Sequence, residues 1–217
     1  MGMYIETLTL FILLFLTAGG AANLKPGGYG GLLISSEFAR IFLYNTPAAA
    51  LILRLLQKEK SLKEWGLGKP IKKDLFILFL ALPCLLLIGF AAVSASLFFT
   101  GGTSVKNNLL SPDSALLWIV LGFSCISTGY LEEIFFRFYL LSKRKELNMS
   151  DPLALIFSTA LFSVCHIYEG PWGFINSIIS GFLLSFIFLR YKSLHGIALA
   201  HGIYNFLAYV ISAFSGH

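Results

Sequence analysis

Formal charge is scarce in this chain. Of 217 residues, 16 are Lys or Arg and 11 are Asp or Glu, together 12%, whereas a soluble domain carries roughly 25%. So little charge excludes a disordered chain, a coiled coil and an ordinary water-soluble enzyme. Cysteine is also scarce. Cys84, Cys125 and Cys165 lie far apart in apolar stretches and no CxxC occurs, which excludes a disulfide scaffold. A nucleophilic Cys165 next to His166 is poor geometry, because adjacent helical residues point ~100° apart. There is no HExxH, no GxxxxGK[ST] and no internal repeat. The net charge of +5 does not point to nucleic acid, since the basic residues form no basic face or nucleic-acid motif.

Apolar residues dominate instead, at 57% of the chain with a mean hydropathy of +0.79. The expectation is an integral membrane protein with the lipid bilayer as its surroundings. Seven apolar segments run over about 4–24, 33–56, 74–100, 115–142, 152–168, 172–190 and 194–214. At ~20 residues per span they predict an all-α polytopic bundle of about seven transmembrane helices (six to eight). Residues 1–217 then form one membrane domain with no soluble domain. The fifth segment is short and could be partly re-entrant. The second carries Glu37, Arg40 and Pro47 and is the weakest span. Glu37 and Arg40 are read as an ion pair near the outer interface. No Lys or Arg precedes the first apolar run, so a retained span is favoured over a cleaved signal peptide.

The loops alternate in charge. Residues 57–73 hold six Lys, 143–151 hold Lys143, Arg144 and Lys145, and 190–193 hold Arg190 and Lys192, which is 11 of the 16 basic residues. Loops of the other parity hold only Lys25 and Lys106. The positive-inside rule then puts the N-terminus in the cytoplasm and the C-terminus outside. Trp65, Trp118 and Trp172 fall near the predicted interfaces. The stretch 25–32, KPGGYGGL, reads as a turn between helices rather than a phosphate cradle. His195 and His217 suggest no role.

Ionisable residues inside membrane segments are functional candidates because they are costly there. The fourth segment contains Tyr130-Leu131-Glu132-Glu133-Ile134-Phe135-Phe136-Arg137. Glu133 and Arg137 are four apart and can pair on one helix face. Glu132 points elsewhere and is free to face a cavity, a setting suited to a general base. The plainer alternative is a structural ion pair with Glu132 reaching for water. His166 follows Phe162 by four residues in the fifth segment, and by itself would more often be a core histidine. His201 and Asn205, four apart in the seventh segment, share a face. They could simply join helices, with Gly196 and Gly202 permitting close approach.

Taken together, E-E-x-x-x-R at Glu132, Glu133 and Arg137, F-x-x-x-H at Phe162 and His166, and H-x-x-x-N at His201 and Asn205 resemble the CPBP family. These are the CAAX protease and bacteriocin-processing (Abi) proteins, intramembrane glutamic endopeptidases. The resemblance covers about 115–210, which would be the catalytic core. It implies that Glu132 polarises a water assisted by His166, that His201 and Asn205 steady the oxyanion, and that Glu133 and Arg137 orient the site, with Phe162 in support. The implied partner is a protein or peptide substrate entering a membrane cavity. Candidates are a prenylated C-terminal CAAX protein, a bacteriocin leader or a C-terminal membrane anchor. The small size suggests a prokaryotic inner membrane. No metal or other cofactor is expected. The alternative is Zn held by Glu132, His166 and His201, since a His₂Glu set with an open position suits hydrolysis. Two other classes compete: a non-enzymatic immunity or scaffold protein on the same fold, and a small transporter with Glu132 and the histidines as a proton relay. The oligomeric state is not set by the sequence.

Overall fold

A computed structural model of the chain describes residues 2–16, 32–100 and 111–215. Lys25, Lys106, His217, residues 17–24 of the first segment and nearly all of the 25–32 stretch lie outside these. Every apolar segment carries a helix, and no strand occurs among the described residues. We number the helices α1 (Gly2–Leu16), α2 (Ile34–Gln57), α3 (Lys72–Phe99), α4 (Ala115–Lys145), α5 (Asp151–Val164), α6 (Gly170–Tyr191) and α7 (Leu194–Ser215).

Five of them, α2, α3, α4, α6 and α7, are long and apolar enough to cross a bilayer. Of the about seven spans expected, five are therefore supported among the described residues. The described part of α1 is short, and α5 has 14 residues. At 1.5 Å per residue α5 extends ~21 Å, less than the ~30 Å hydrocarbon core. Its boundaries are written locally. The Ser150 hydroxyl caps it by accepting from Leu153 N–H at 3.4 Å, and Pro152 sits at its start. Its end is a tight turn in which Cys165 and His166 N–H bond back to the Phe162 and Ser163 carbonyls. The sequence Glu169-Gly170-Pro171 then starts a new helix, with Gly170 at φ +80°, a left-handed value that suits glycine.

Helix α7 packs between α4 and α3, α6 packs on α5 and α3, and α2 lies along α4. The α4–α7 crossing depends on two glycines. A Cβ on Gly129 would stand 2.7 Å from the Gly202 nitrogen, and one on Gly202 would stand 2.6 Å from the Ile126 Cα. Small residues allow this approach in membranes, and it brings His201 against α4. Both α2 and α4 loosen into π-helix where they meet, over Arg40–Asn45 and Ile134–Tyr139. Such segments occur often at functional sites. Asn45 crosses the contact, donating to Ser127 Oγ at 2.8 Å and Thr128 Oγ1 at 3.0 Å.

The predicted loop residue Lys143 is fully buried, which the charge pattern did not anticipate. Its ammonium lies 2.5 Å from Glu59 and 3.6 Å from Glu6, and the Tyr139 hydroxyl donates to Glu6 at 2.7 Å. A cation at the end of α4 is therefore used to hold α1 and α2.

Candidate active site

The site forms where the π-segment of α4 begins, opposite the middle of α7. Glu132 and Glu133 end the α-helical part of α4. The Arg137 guanidinium donates to Glu133 Oε1 at 2.9 Å, with both side chains fully buried. It donates again to the Gly181 carbonyl at 3.2 Å, and its carbon lies 4.4 Å from the Phe162 ring centre. A Cβ on Gly181 would meet Phe162 at 2.9 Å and Arg137 at 3.5 Å, so glycine there lets α6 offer its carbonyl.

His201 joins the two carboxylates. Its Nδ1 donates to Glu133 Oε1 at 2.8 Å, and its Nε2 stands 3.5 Å from Glu132 Oε2. Glu133 Oε1 thus receives both Arg137 and His201, while Glu132 Oε2, Glu133 Oε2 and Arg137 Nε are buried without a hydrogen-bond partner among the described residues. Such orphans are expensive in a merely structural cluster. The Glu132 carboxylate bears electrostatically on Tyr44, Cys165 and Tyr168. Of these, Tyr44 and Tyr168 were given no role in the sequence reading. They recur at no telling interval, and only the fold places them here.

Phe162 is the hub of the remaining contacts. Its ring centre lies 4.4 Å from His166 and 5.7 Å from His201. His166 is not on the helix, as its segment suggested, but in the turn after α5. Its Nδ1 donates to the Phe162 carbonyl at 2.8 Å, and its Nε2 has no hydrogen-bond partner among the described residues. Asn205 is half-buried one turn beyond His201 and has no hydrogen bond among the described residues. The structure thus brings Glu132, Glu133, Arg137, Phe162 and His201 into contact, with His166 against the same ring and Asn205 at the edge.

Two expectations outside the site change. Glu37 and Arg40 do pair, at 3.2 Å, but both are buried in the protein rather than set at a wet interface. His195 acquires a role: its Nε2 donates to the Gly68 carbonyl at 2.9 Å and its Nδ1 lies 3.0 Å from the Tyr130 hydroxyl. Among the described residues no group of three His, Cys, Asp or Glu side chains that could hold a metal ion is found.

Five long apolar helices around a buried cluster of two carboxylates, an imidazole and a guanidinium define a polytopic integral membrane protein with a polar site between its helices. Residues 114–207, which hold every member of that cluster, match the family model described as type II CAAX prenyl endopeptidase Rce1-like. Over these residues the chain is similar to the CAAX protease family. No curated protein and no solved structure matches it.

Proposed function

We propose that the protein is an intramembrane endopeptidase in which Glu132 activates water to hydrolyse a peptide bond within the bilayer. The observation that carries this reading is the single imidazole of His201 touching both carboxylates, Glu133 by a hydrogen bond and Glu132 at 3.5 Å. Glu133 and Arg137 are mutually neutralised, which leaves the Glu132 charge as the excess. A buried site favours overall neutrality, which a proton on His201 beside Glu132 would supply.

In the reaction, water attacks the scissile carbonyl carbon and gives a proton to Glu132. The carbonyl oxygen takes up the negative charge, and the same proton then goes to the leaving amine. His166, whose Nε2 has no hydrogen-bond partner among the described residues, orients the water. His201 and Asn205 face the oxyanion, where one placed donor is worth ~3–4 kcal/mol. Glu133 and Arg137 position rather than react: Glu133 fixes the His201 tautomer and Arg137 fixes Glu133. The substrate is a membrane-associated or exported prokaryotic protein or peptide, presented as an extended strand.

The test is terminal proteomics of cells carrying Glu132→Gln, His166→Ala or His201→Ala beside the parent, with membrane insertion measured in parallel. Each change should abolish a set of neo-termini without loss of insertion. Unaltered termini in all three strains would sink the enzyme reading and favour a scaffold.

A further inference from the structure

The loop before α3 and the start of α7 line an open cavity with apolar walls and basic side chains, away from the family motifs. Its volume is about 270 Å³ and its wall includes Lys69, Lys73 and Lys192 together with Leu67, Ile71 and Leu194. None of the three lysines has an ion-pair partner within 4.0 Å among the described residues, and the Lys192 ammonium lies 5.2 Å from the Phe188 ring centre. The one acid in the wall, Asp74, is already engaged. Its Oδ1 accepts from the Ser193 hydroxyl at 2.5 Å and its Oδ2 from the Ile71 N–H at 2.8 Å. Three cations against one carboxylate leave the cavity positive, and the first turns of α3 and α7 add their partial charge.

We propose that this cavity binds the phosphate group of an anionic phospholipid. The chemistry is two-sided, with ammonium groups for a phosphodiester and Leu67, Ile71 and Leu194 for the glycerol and first methylenes. The position fits as well. The cavity lies at the ends of α3, α6 and α7, where two of the basic loops converge, and helix ends are the level at which headgroups lie. Its size suits a headgroup, since pockets for larger small molecules start near ~300 Å³. An occupant would also bear on the site, because His195 in the cavity wall links Gly68 to Tyr130, two residues before Glu132.

The test is native mass spectrometry of the purified full chain, titrated with phosphatidylglycerol or phosphatidylcholine. The parent should retain phosphatidylglycerol preferentially. The triple variant K69Q/K73Q/K192Q should lose about a hundredfold in that affinity, and K192Q alone roughly fivefold, near one Lys contact each. K192Q decides the matter if the triple variant fails to fold. An unchanged preference in K192Q and the triple variant overturns the proposal. So does an equal loss in K58Q/K60Q/K63Q, which would mean diffuse loop charge. Millimolar inorganic phosphate should leave the lipid preference intact. Full displacement by phosphate overturns the lipid assignment in favour of a free-anion site. None of these outcomes depends on the protease reading.

Discussion

Replacing Arg137 by Met separates what the buried pair does for folding from what it does for the site. Arg137 is fully buried and holds Glu133 at 2.9 Å and the Gly181 carbonyl at 3.2 Å. Removing one member of a buried pair costs ~3–5 kcal/mol, because the other charge is left uncompensated. Here the cost falls at the lower end, about 3 kcal/mol, since His201 still donates to Glu133. Glu133→Gln alone keeps an oxygen for both donors but strands the guanidinium, at about 2 kcal/mol. The double variant strands neither charge. Its cost is the lost Arg137 hydrogen bond to the Gly181 carbonyl and the lost contact with Phe162, about 2 kcal/mol in all. The cycle therefore has a coupling of about 3 kcal/mol, readable as unfolding in one defined detergent. The double variant should regain stability relative to the sum of the singles and still fail to cleave, because nothing ionised orients His201. Additivity within ~0.5 kcal/mol would refute the pairing argument, and an active double variant would refute the positioning role of Glu133.

Further expectations concern single contacts. Glu132→Gln should lower cleavage by ~10²–10⁴-fold, the usual contribution of a general base. It should leave the melting temperature equal or higher, since Glu132 Oε2 lacks a hydrogen bond; a clear drop in melting would speak against the free-carboxylate reading. Gly202→Ala forces a Cβ to 2.6 Å from the Ile126 backbone and should cost ~1–3 kcal/mol. Gly122→Ala meets only Phe206 at 3.7 Å and should be near neutral, a contrast that thermal unfolding of the pair will show. Lys143→Met removes the partner of Glu59 and Glu6 and should make the first helix more sensitive to limited proteolysis; equal digestion rates would dismiss the clamp. Adding a chelator to the purified protein should leave cleavage unchanged, and loss of activity restored by Zn would establish the metal-dependent alternative.

The helices were readable because the membrane imposes its length and apolarity on each of them. The Glu133–Arg137 pair was readable for a similar reason: four-residue spacing keeps two side chains on one face, and the pair forms. The value of Gly202 also followed from composition, since small residues in apolar helices mark close crossings. Three features were not readable. Lys143 looked like a loop charge because its two acidic partners lie 84 and 137 positions away in sequence. The π-segments leave no spacing signature, although Ile134–Tyr139 decides which way the chain after Glu133 faces. His201 was paired in sequence with Asn205, but in space its partners are both carboxylates of α4. The Lys143 and His201 contacts are long-range, and no local pattern records them.

The short fifth helix connects the fold to the chemistry. It starts at Asp151, just after the basic residues 143–145, and ends at Val164. A helix of ~21 Å that begins at one face stops inside a ~30 Å core, and the turn bearing His166 therefore falls at membrane depth. Irregular backbone is tolerated there only when protein covers it or water reaches it. Phe162, Cys165 and the α6 helix cover one side of the turn, yet His166 itself is only half-buried and Ile167 and Tyr168 are exposed. On the proposed mechanism, this exposed side of His166 would admit water to Glu132. A full-length α5 would satisfy its backbone and seal the site. Lengthening α5 by replacing Gly170-Pro171 with Ala-Ala, which removes the residues that break the helix, should therefore preserve insertion and slow cleavage. Unimpaired turnover in that variant, with the added helix verified by circular dichroism, would show that water enters elsewhere.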